Sequence, residues 1–140
     1  MEDYTIRKAV FEDLEGICEV LSSELADTKP ATRYWWTIME NKMIHTYVIE
    51  HKGNIVGTAC LHILKKLIHG GSYVGQIEDV SVLNSHSGKG LGKMIIDQLV
   101  EVAKENRCYK VILSCSKDNI GFYEKCGFHQ KEFQMRLDIE

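Results

Sequence analysis

Three glycines at alternate positions, in Ser87-Gly88-Lys89-Gly90-Leu91-Gly92, lead straight into a stretch whose Leu91, Ile95, Leu99, Val102 and Ala103 recur at helical spacing. Backbone N–H groups of such a loop can converge on one place, where the positive end of the helix dipole favours phosphate. Spacing then separates the ligand classes. A magnesium-dependent nucleotide loop needs four residues between its glycines followed by Lys-Ser/Thr, but here Gly92-Lys93 is followed by Met94. A dinucleotide fingerprint needs G-x-G-x-x-G and an acidic residue about 20 positions on, and the third glycine stands too early for it. A pyrophosphate held at a strand-turn-helix junction remains. Just upstream, Ile77-Glu78-Asp79-Val80-Ser81-Val82 is a β-prone run interrupted by two carboxylates, which asks for a functional reason. Strand alternation sends Glu78 and Asp79 to opposite faces, so both cannot serve one amine through their side chains. Metal chemistry has no such signal. The five cysteines (Cys18, Cys60, Cys108, Cys115, Cys126) include no CxxC pair, and His62 and His69 have no partner at ligand spacing. The cysteines read as small buried hydrophobes in a reducing compartment.

The elements that position these residues follow from periodicity. Tyr4 to Lys8 reads as a first strand, and Leu14, Ile17, Leu21 and Leu25 share one helical face. Pro30 opens a second, shorter helix in which Trp35, Trp36, Ile38 and Met39 serve apolar packing. Tyr47-Val48-Ile49 and Ile55 to Leu61 flank a turn signal at His51-Lys52-Gly53-Asn54 and predict a hairpin. Gly70-Gly71 marks a second turn before a strand over Ser72 to Leu83, and another strand is expected at Tyr109 to Cys115. Ser116 or Asp118 is expected to cap a last short helix through Phe122 and Tyr123, with Gly127 as its left-handed stop. Lys131, Phe133, Met135 and Leu137 then alternate against Gln130, Glu132, Gln134 and Arg136, a period-two strand. The order β-α-α-β-β-β-α-β-α-β describes an α/β fold with a mixed sheet covered by helices.

Composition bounds the answer further. The 140 residues, 44% of them apolar, suit one domain over 1–140 with its own core. Seventeen basic against twenty acidic residues leave a net charge of −3 without a basic run, so neither nucleic acid nor a membrane surface is announced. No apolar stretch reaches the roughly 18 residues of a spanning helix, and Met1-Glu2-Asp3-Tyr4 lacks the features of a signal peptide, so a soluble cytoplasmic protein is expected.

Four ordered segments carry a resemblance: Gly75-Gln76-Ile77-Glu78-Asp79-Val80, Gly88-Lys89-Gly90-Leu91-Gly92-Lys93, Cys108-Tyr109-Lys110-Val111-Ile112-Leu113 and Gly121-Phe122-Tyr123-Glu124-Lys125-Cys126-Gly127-Phe128. Together with Lys66-Leu67-Ile68-His69 they resemble the eukaryotic glucosamine-6-phosphate N-acetyltransferases of the GNAT superfamily, over residues 65 to 137; the first sixty residues match only in outline. The resemblance implies a GNAT fold and acetyl-CoA as donor, with no metal. It further implies D-glucosamine 6-phosphate as acceptor, direct attack in a ternary complex, a place in UDP-GlcNAc biosynthesis, and a homodimer whose C-terminal strands cross the interface.

It also implies roles. The donor's acetyl arm lies along Val80, Ser81 and Val82, where a splayed strand end offers a backbone N–H, at Val80, to the developing oxyanion. Ser87, Gly88, Lys89, Gly90, Leu91 and Gly92 hold the pyrophosphate, and Tyr123, Glu124 and Lys125 complete the coenzyme site. The Tyr123 hydroxyl faces the coenzyme sulfur. Tyr123 is thereby the choice for the general acid; a phenol near pKa 10 protonating a thiolate near 8.5 goes uphill by about 2 kcal/mol, so hydrogen-bond stabilisation is the safer role unless burial raises the thiolate. Glu78 orients the sugar amine and takes its proton through water. Asp79 and Val80 lie close to the sugar, and Lys66, Leu67, Ile68, His69, Tyr109, Lys110 and Ser114 line the rest of the acceptor site.

Four positions depart from the pattern. Ser87 stands where an Arg or Gln usually opens the loop, removing a donor to phosphate, so that either coenzyme affinity drops or His86 and Lys89 compensate. Ser114 replaces an acidic residue that contacts substrate, Leu25-Ala26 falls where a substrate-binding Thr is expected, and Asp138 aligns with a partner-chain Arg that reaches the sugar phosphate. Arg136 can replace that Arg only if it shares the same strand face. These changes bear on the acceptor more than on the fold or donor. They keep two alternatives open: acetylation of a different primary amine, and a domain that binds acetyl-CoA without turnover.

Overall fold

The computed structural model describes residues 3–25 and 29–139; Ala26, at the position where the resemblance implies a substrate-binding Thr, lies outside them. The chain forms β1 (Tyr4–Lys8), a 3-10 turn (Phe11–Asp13), α1 (Leu14–Val20), α2 (Ser22–Leu25), α3 (Thr32–Glu40), β2 (Ile44–His51), β3 (Asn54–Lys66) and β4 (Ser72–Val82). A 3-10 turn (Asn84–His86), α4 (Leu91–Glu105), β5 (Cys108–Ile112), a further 3-10 turn (Lys117–Asn119) and α5 (Ile120–Lys125) follow. The sheet order is β1-β2-β3-β4-β5, antiparallel throughout except for the parallel β4–β5 pair joined through α4.

Each face of this sheet has its own core. On one, α4 lays its stripe of Ile95, Ile96, Leu99, Val102 and Ala103 against Leu61, Ile63 and Ile77, all buried; each buried Ile, Leu or Val among them contributes about 1.5–3 kcal/mol. On the other, Ile17 of α1 and Trp35 of α3 cover Val48, and the Trp35 indole N–H donates to the Phe11 carbonyl at 2.9 Å. The β2–β3 turn has positive φ at both central residues, Lys52 (50°) and Gly53 (81°), the geometry that matches strand twist in two-residue hairpins.

Several sequence expectations need correction. Leu14 to Leu25 is two short helices, because Leu21 leaves helical geometry before Ser22 and Ser23, residues whose side chains compete for backbone hydrogen bonds. Trp36 is 48% exposed, its ring resting on Phe11 rather than in the core. Neither Ser116 nor Asp118 caps α5; a 3-10 turn intervenes and Asn119 borders the helix, whereas Gly127 (φ 98°) does stop it. β5 ends at Ile112 because its ladder with β4 ends there. The terminal period-two segment pairs with no strand among the described residues: Phe133, Met135, Leu137 and Ile139 are 85–91% exposed. Alternation identifies an extended backbone, but a strand also needs a neighbouring edge.

Candidate active site

The glycine loop forms the cradle its spacing predicts. Gly88 (φ 77°) and Gly90 (φ 78°) are left-handed, and a side chain added at either would meet nothing within 4 Å, so the space above the loop is open. Gly90 borders α4 with no side-chain cap, which leaves the first-turn N–H groups directed outward at the positive end of a 15-residue helix. This arrangement fits a pyrophosphate. Gly92 serves packing instead, since a Cβ there would stand 3.0 Å from the Phe122 ring. Leu91 is 3% exposed and can reach a ligand only through its backbone. The Ser87 hydroxyl donates to the Asn84 carbonyl at 2.9 Å, so it is turned into the loop rather than over it. Beside it, His86 Nδ1 lies 2.7 Å from the Tyr4 hydroxyl, and its ring meets His51 edge-on.

From this loop a cleft opens between the parallel strands. β4 and β5 pair only from Tyr73 to Gln76, although β4 runs on to Val82. Val80 and Val82 pack on the α4 side, while the Ser81 hydroxyl faces the Val20 carbonyl at 3.4 Å on the other. Tyr123, on α5, is half-buried among Phe122 and Phe128, and burial pushes its phenol above the ordinary value, so it stays protonated. Among the described residues its hydroxyl has no hydrogen-bond partner, which separates it from a tyrosine satisfied by backbone.

Glu78 and Asp79 do not take opposite faces. The β3–β4 register pairs Cys60 with Glu78 but Thr58 with Ser81, so Ala59 opposes two residues, Asp79 and Val80. Asp79 takes φ 55° at this bulge, and an extra residue in one strand cancels the alternation. Both carboxylates consequently line one open depression with His62, Leu64 and Gln76, and Gln76 Nε2 donates to Glu78 Oε2 at 2.6 Å. The bulge also removes Val80 from residue-for-residue pairing with β3.

The remaining predicted acceptor residues gather elsewhere. The His69 and Tyr109 rings lie 4.7 Å apart and Lys110 Nζ stands 5.4 Å from the Tyr109 ring centre, beside the β3–β4 hairpin that carries Lys66, Leu67 (96% exposed) and Ile68. That hairpin end is separated from Glu78 by the five residues of β4 after Tyr73, about 17 Å at strand rise. Ser114 is exposed on the arm that leaves β4 after Ile112. Glu124 and Lys125 are exposed on α5. Arg136 and Asp138 form a 2.7 Å ion pair, so the two share one side of the terminal segment. Sequence reading missed His62 and Gln76; their direct pairing follows from hairpin register counted back from Gly70-Gly71. Among the described residues no group of His, Cys, Asp or Glu is placed to hold a metal, and no helix is long and apolar enough to cross a membrane.

Residues 7–128 match the model of the acetyltransferase (GNAT) family. The chain is 51% identical over 143 aligned positions to the glucosamine 6-phosphate N-acetyltransferase of Candida albicans, covering 96% of this chain and 95% of that protein. The enzyme of the same name from Trypanosoma brucei brucei is 52% identical over 87 residues, 62% of this chain and 59% of its own length. Among solved structures, glucosamine-6-phosphate N-acetyltransferase from Arabidopsis thaliana superposes with a TM-score of 0.92 at 34% identity, over 99% of this chain and all of that one.

Proposed function

The chain belongs to the acetyltransferase (GNAT) family, and from that premise we propose that it acetylates the 2-amine of D-glucosamine 6-phosphate with acetyl-CoA, giving N-acetylglucosamine 6-phosphate and CoA. The observation that carries this reading is the 51% identity to the Candida albicans enzyme across nearly the whole of both chains. The bulge that turns Glu78 and Asp79 together beside the parting of β4 and β5 supports it independently.

Acetyl-CoA supplies an acetyl carbon activated as a thioester; the protein's residues do the rest. The N–H groups around Gly88, Gly90 and Leu91 hold pyrophosphate, with the Lys89 ammonium and the His86 ring beside them where Ser87 offers no charge. Glu78, positioned by Gln76, orients the amine and receives its proton through water, and Asp79 holds the sugar from the same side. The Val80 N–H, released from its β3 partner, donates to the developing oxyanion, an interaction worth about 2.7–4 kcal/mol where one such donor has been removed. Tyr123, kept protonated by burial, donates a hydrogen bond to the departing sulfur.

The His69–Tyr109–Lys110 group lies too far along β4 to reach an amine held at Glu78 of the same chain. A homodimer resolves this: the second protomer brings that group to the sugar phosphate, and the exposed alternating segment of Phe133, Met135 and Leu137 supplies a strand to it. The chain acts as one domain in the cytoplasm, in amino-sugar metabolism leading to UDP-GlcNAc, with neither nucleic acid nor membrane as partner. The test is the product itself. With 13C-acetyl-CoA, an amide carbonyl signal coupled to carbon 2 of the sugar, formed in equal amount to free CoA, is expected; acetate release without that amide contradicts the assignment.

A further inference from the structure

His86 ends the 3-10 turn that leads into the glycine loop, and its ring is held from a distant part of the chain. Its Nδ1 lies 2.7 Å from the hydroxyl of Tyr4, 82 positions earlier, and the Tyr4 ring meets it edge-on with centroids 5.7 Å apart. Tyr4 is itself fixed. It stands opposite His51 in the β1–β2 ladder, and the two rings stack with centroids 4.3 Å apart and planes 22° from parallel. His51 Nδ1 is 2.9 Å from the Asp3 carbonyl, which can only accept, so that nitrogen donates and anchors the ring. His51 also meets His86 edge-on at 5.3 Å. Rings from β1, β2 and the turn before α4 thus form one cluster, and none of them lines the depression that holds Glu78 and Asp79.

The partner of one histidine nitrogen decides what the other offers. With the Tyr4 O–H donated to Nδ1, the neutral His86 ring carries its proton on Nε2. In the charged ring Nδ1–H donates to the Tyr4 oxygen, and Nε2 again carries a proton. Nε2 is a donor in both states. Among the described residues it has no hydrogen-bond partner, and it is not a buried atom. An outward donor next to a glycine loop suits the oxygens of an ionised diphosphate, which only accept. The Ser87 hydroxyl, already donated to the Asn84 carbonyl, does not supply one. A ring held in advance also loses less rotamer freedom on binding than a loose surface side chain.

Resting on the reading that this loop holds acetyl-CoA, we propose that His86 Nε2 donates to the coenzyme diphosphate and that Tyr4, on the first strand, is a positioning residue that fixes the His86 ring in its Nε2–H form. His51, stacked on Tyr4, holds the phenol in place. The edge of the sheet thereby sets coenzyme affinity without touching the coenzyme.

The test begins without an acceptor, by isothermal titration calorimetry of CoA. It compares the parent protein with Tyr4→Phe, which keeps the ring stack, with His86→Ala, with the double variant, and with His86→Gln, whose amide keeps an N–H toward the place of Nε2. His86→Ala is expected to weaken CoA about tenfold, as loss of one hydrogen bond to a charged group does, and Tyr4→Phe about threefold. In the His86→Ala background Tyr4→Phe is expected to change nothing further, because Tyr4 acts only through His86. His86→Gln is expected to recover most of the affinity lost in His86→Ala. In thiol-release assays with glucosamine 6-phosphate the losses fall on the KM for acetyl-CoA, and the kcat/KM ratio of acetyl-CoA to S-acetyl-N-acetylcysteamine, a thioester without the diphosphate, drops by the same factors. Nitrogen-15 NMR of the parent is expected to show the neutral His86 ring protonated on Nε2 and that nitrogen shifting when CoA is added; a proton on Nδ1 alone overturns the assignment. Equal CoA affinity in the parent and His86→Ala also overturns it and leaves the proposed function standing. An equal loss from Tyr4→Phe in both backgrounds, or with both thioesters, marks a general effect on the fold and overturns the positioning role. The expected pattern in calorimetry and NMR, with no acetylation of glucosamine 6-phosphate, supports the assignment and overturns the proposed acceptor instead.

Discussion

Glu78 and Asp79 are neighbours in the chain and yet face the same depression, because Asp79 adopts φ 55° at a bulge where Ala59 opposes two residues of β4. Side chains tolerate that conformation unequally, Asn nearly as well as Asp and β-branched residues badly. Asp79→Asn is therefore expected to keep the melting temperature within a few degrees while raising the KM for the acceptor. Asp79→Val is expected to lose about 1–2 kcal/mol of stability. Thermal unfolding and acceptor kinetics on the two variants check this; equal melting temperatures would show that the bulge does not constrain residue 79.

Tyr123 offers a hydroxyl with no partner in the described protein and a phenol held protonated by burial. Hydrogen bonds to a charged group are worth about 1.5–3 kcal/mol, so Tyr123→Phe is expected to lower kcat by about 10–100-fold with little change in the KM for acetyl-CoA. A larger change in KM than in kcat would place the hydroxyl on the ground state instead.

The N-terminal elements are fastened by one charge network. Arg7 donates to both Asp13 oxygens at 2.7 and 3.0 Å and to Glu50 at 3.0 Å, and Asp13 also accepts the Val10 N–H at 2.8 Å. The guanidinium, despite the opposing effect of burial, holds the Asp13 carboxyl below the usual carboxylate range. A depressed carboxyl contributes stability that is complete above the unfolded value, about pH 4, and is lost as pH falls through the folded value. Asp13→Asn is expected to cost about 3 kcal/mol at pH 7, with the gap to the parent protein narrowing below pH 4. Denaturant unfolding at both pH values measures it; a gap independent of pH would assign the effect to packing.

A site shared between protomers makes a mixing prediction. If Glu78 of one chain works with Lys110 of the other, then Glu78→Gln and Lys110→Ala proteins, each nearly inactive alone, regain activity when co-folded, since one site of the mixed dimer keeps both native residues. No recovery in a confirmed mixed dimer would place both residues in one chain's site.

Much of this geometry was legible in advance. The α4 stripe and the Gly88 and Gly90 conformations follow from local spacing, and the Lys52-Gly53 turn from backbone sterics. The bulge was not, because it arises from how β3 and β4 register across the sheet, and nothing in Ile77 to Val82 marks the position where alternation fails. The same non-local register hides His62, which has no partner at ligand spacing in the chain and lines one depression with Asp79 in the fold. The terminal segment shows the opposite limit: its alternation from Phe133 to Leu137 is plain, but it pairs with no strand among the described residues.

The central claim is the acceptor. Thiol release from acetyl-CoA, measured with glucosamine 6-phosphate and with glucosamine, tests it most directly. The account predicts rapid turnover of the phosphorylated sugar and a kcat/KM at least 100-fold lower, about 3 kcal/mol by the tenfold-per-1.4 kcal/mol relation, without the phosphate. Equal turnover of both sugars would remove the need for the His69–Tyr109–Lys110 group and contradict the assignment.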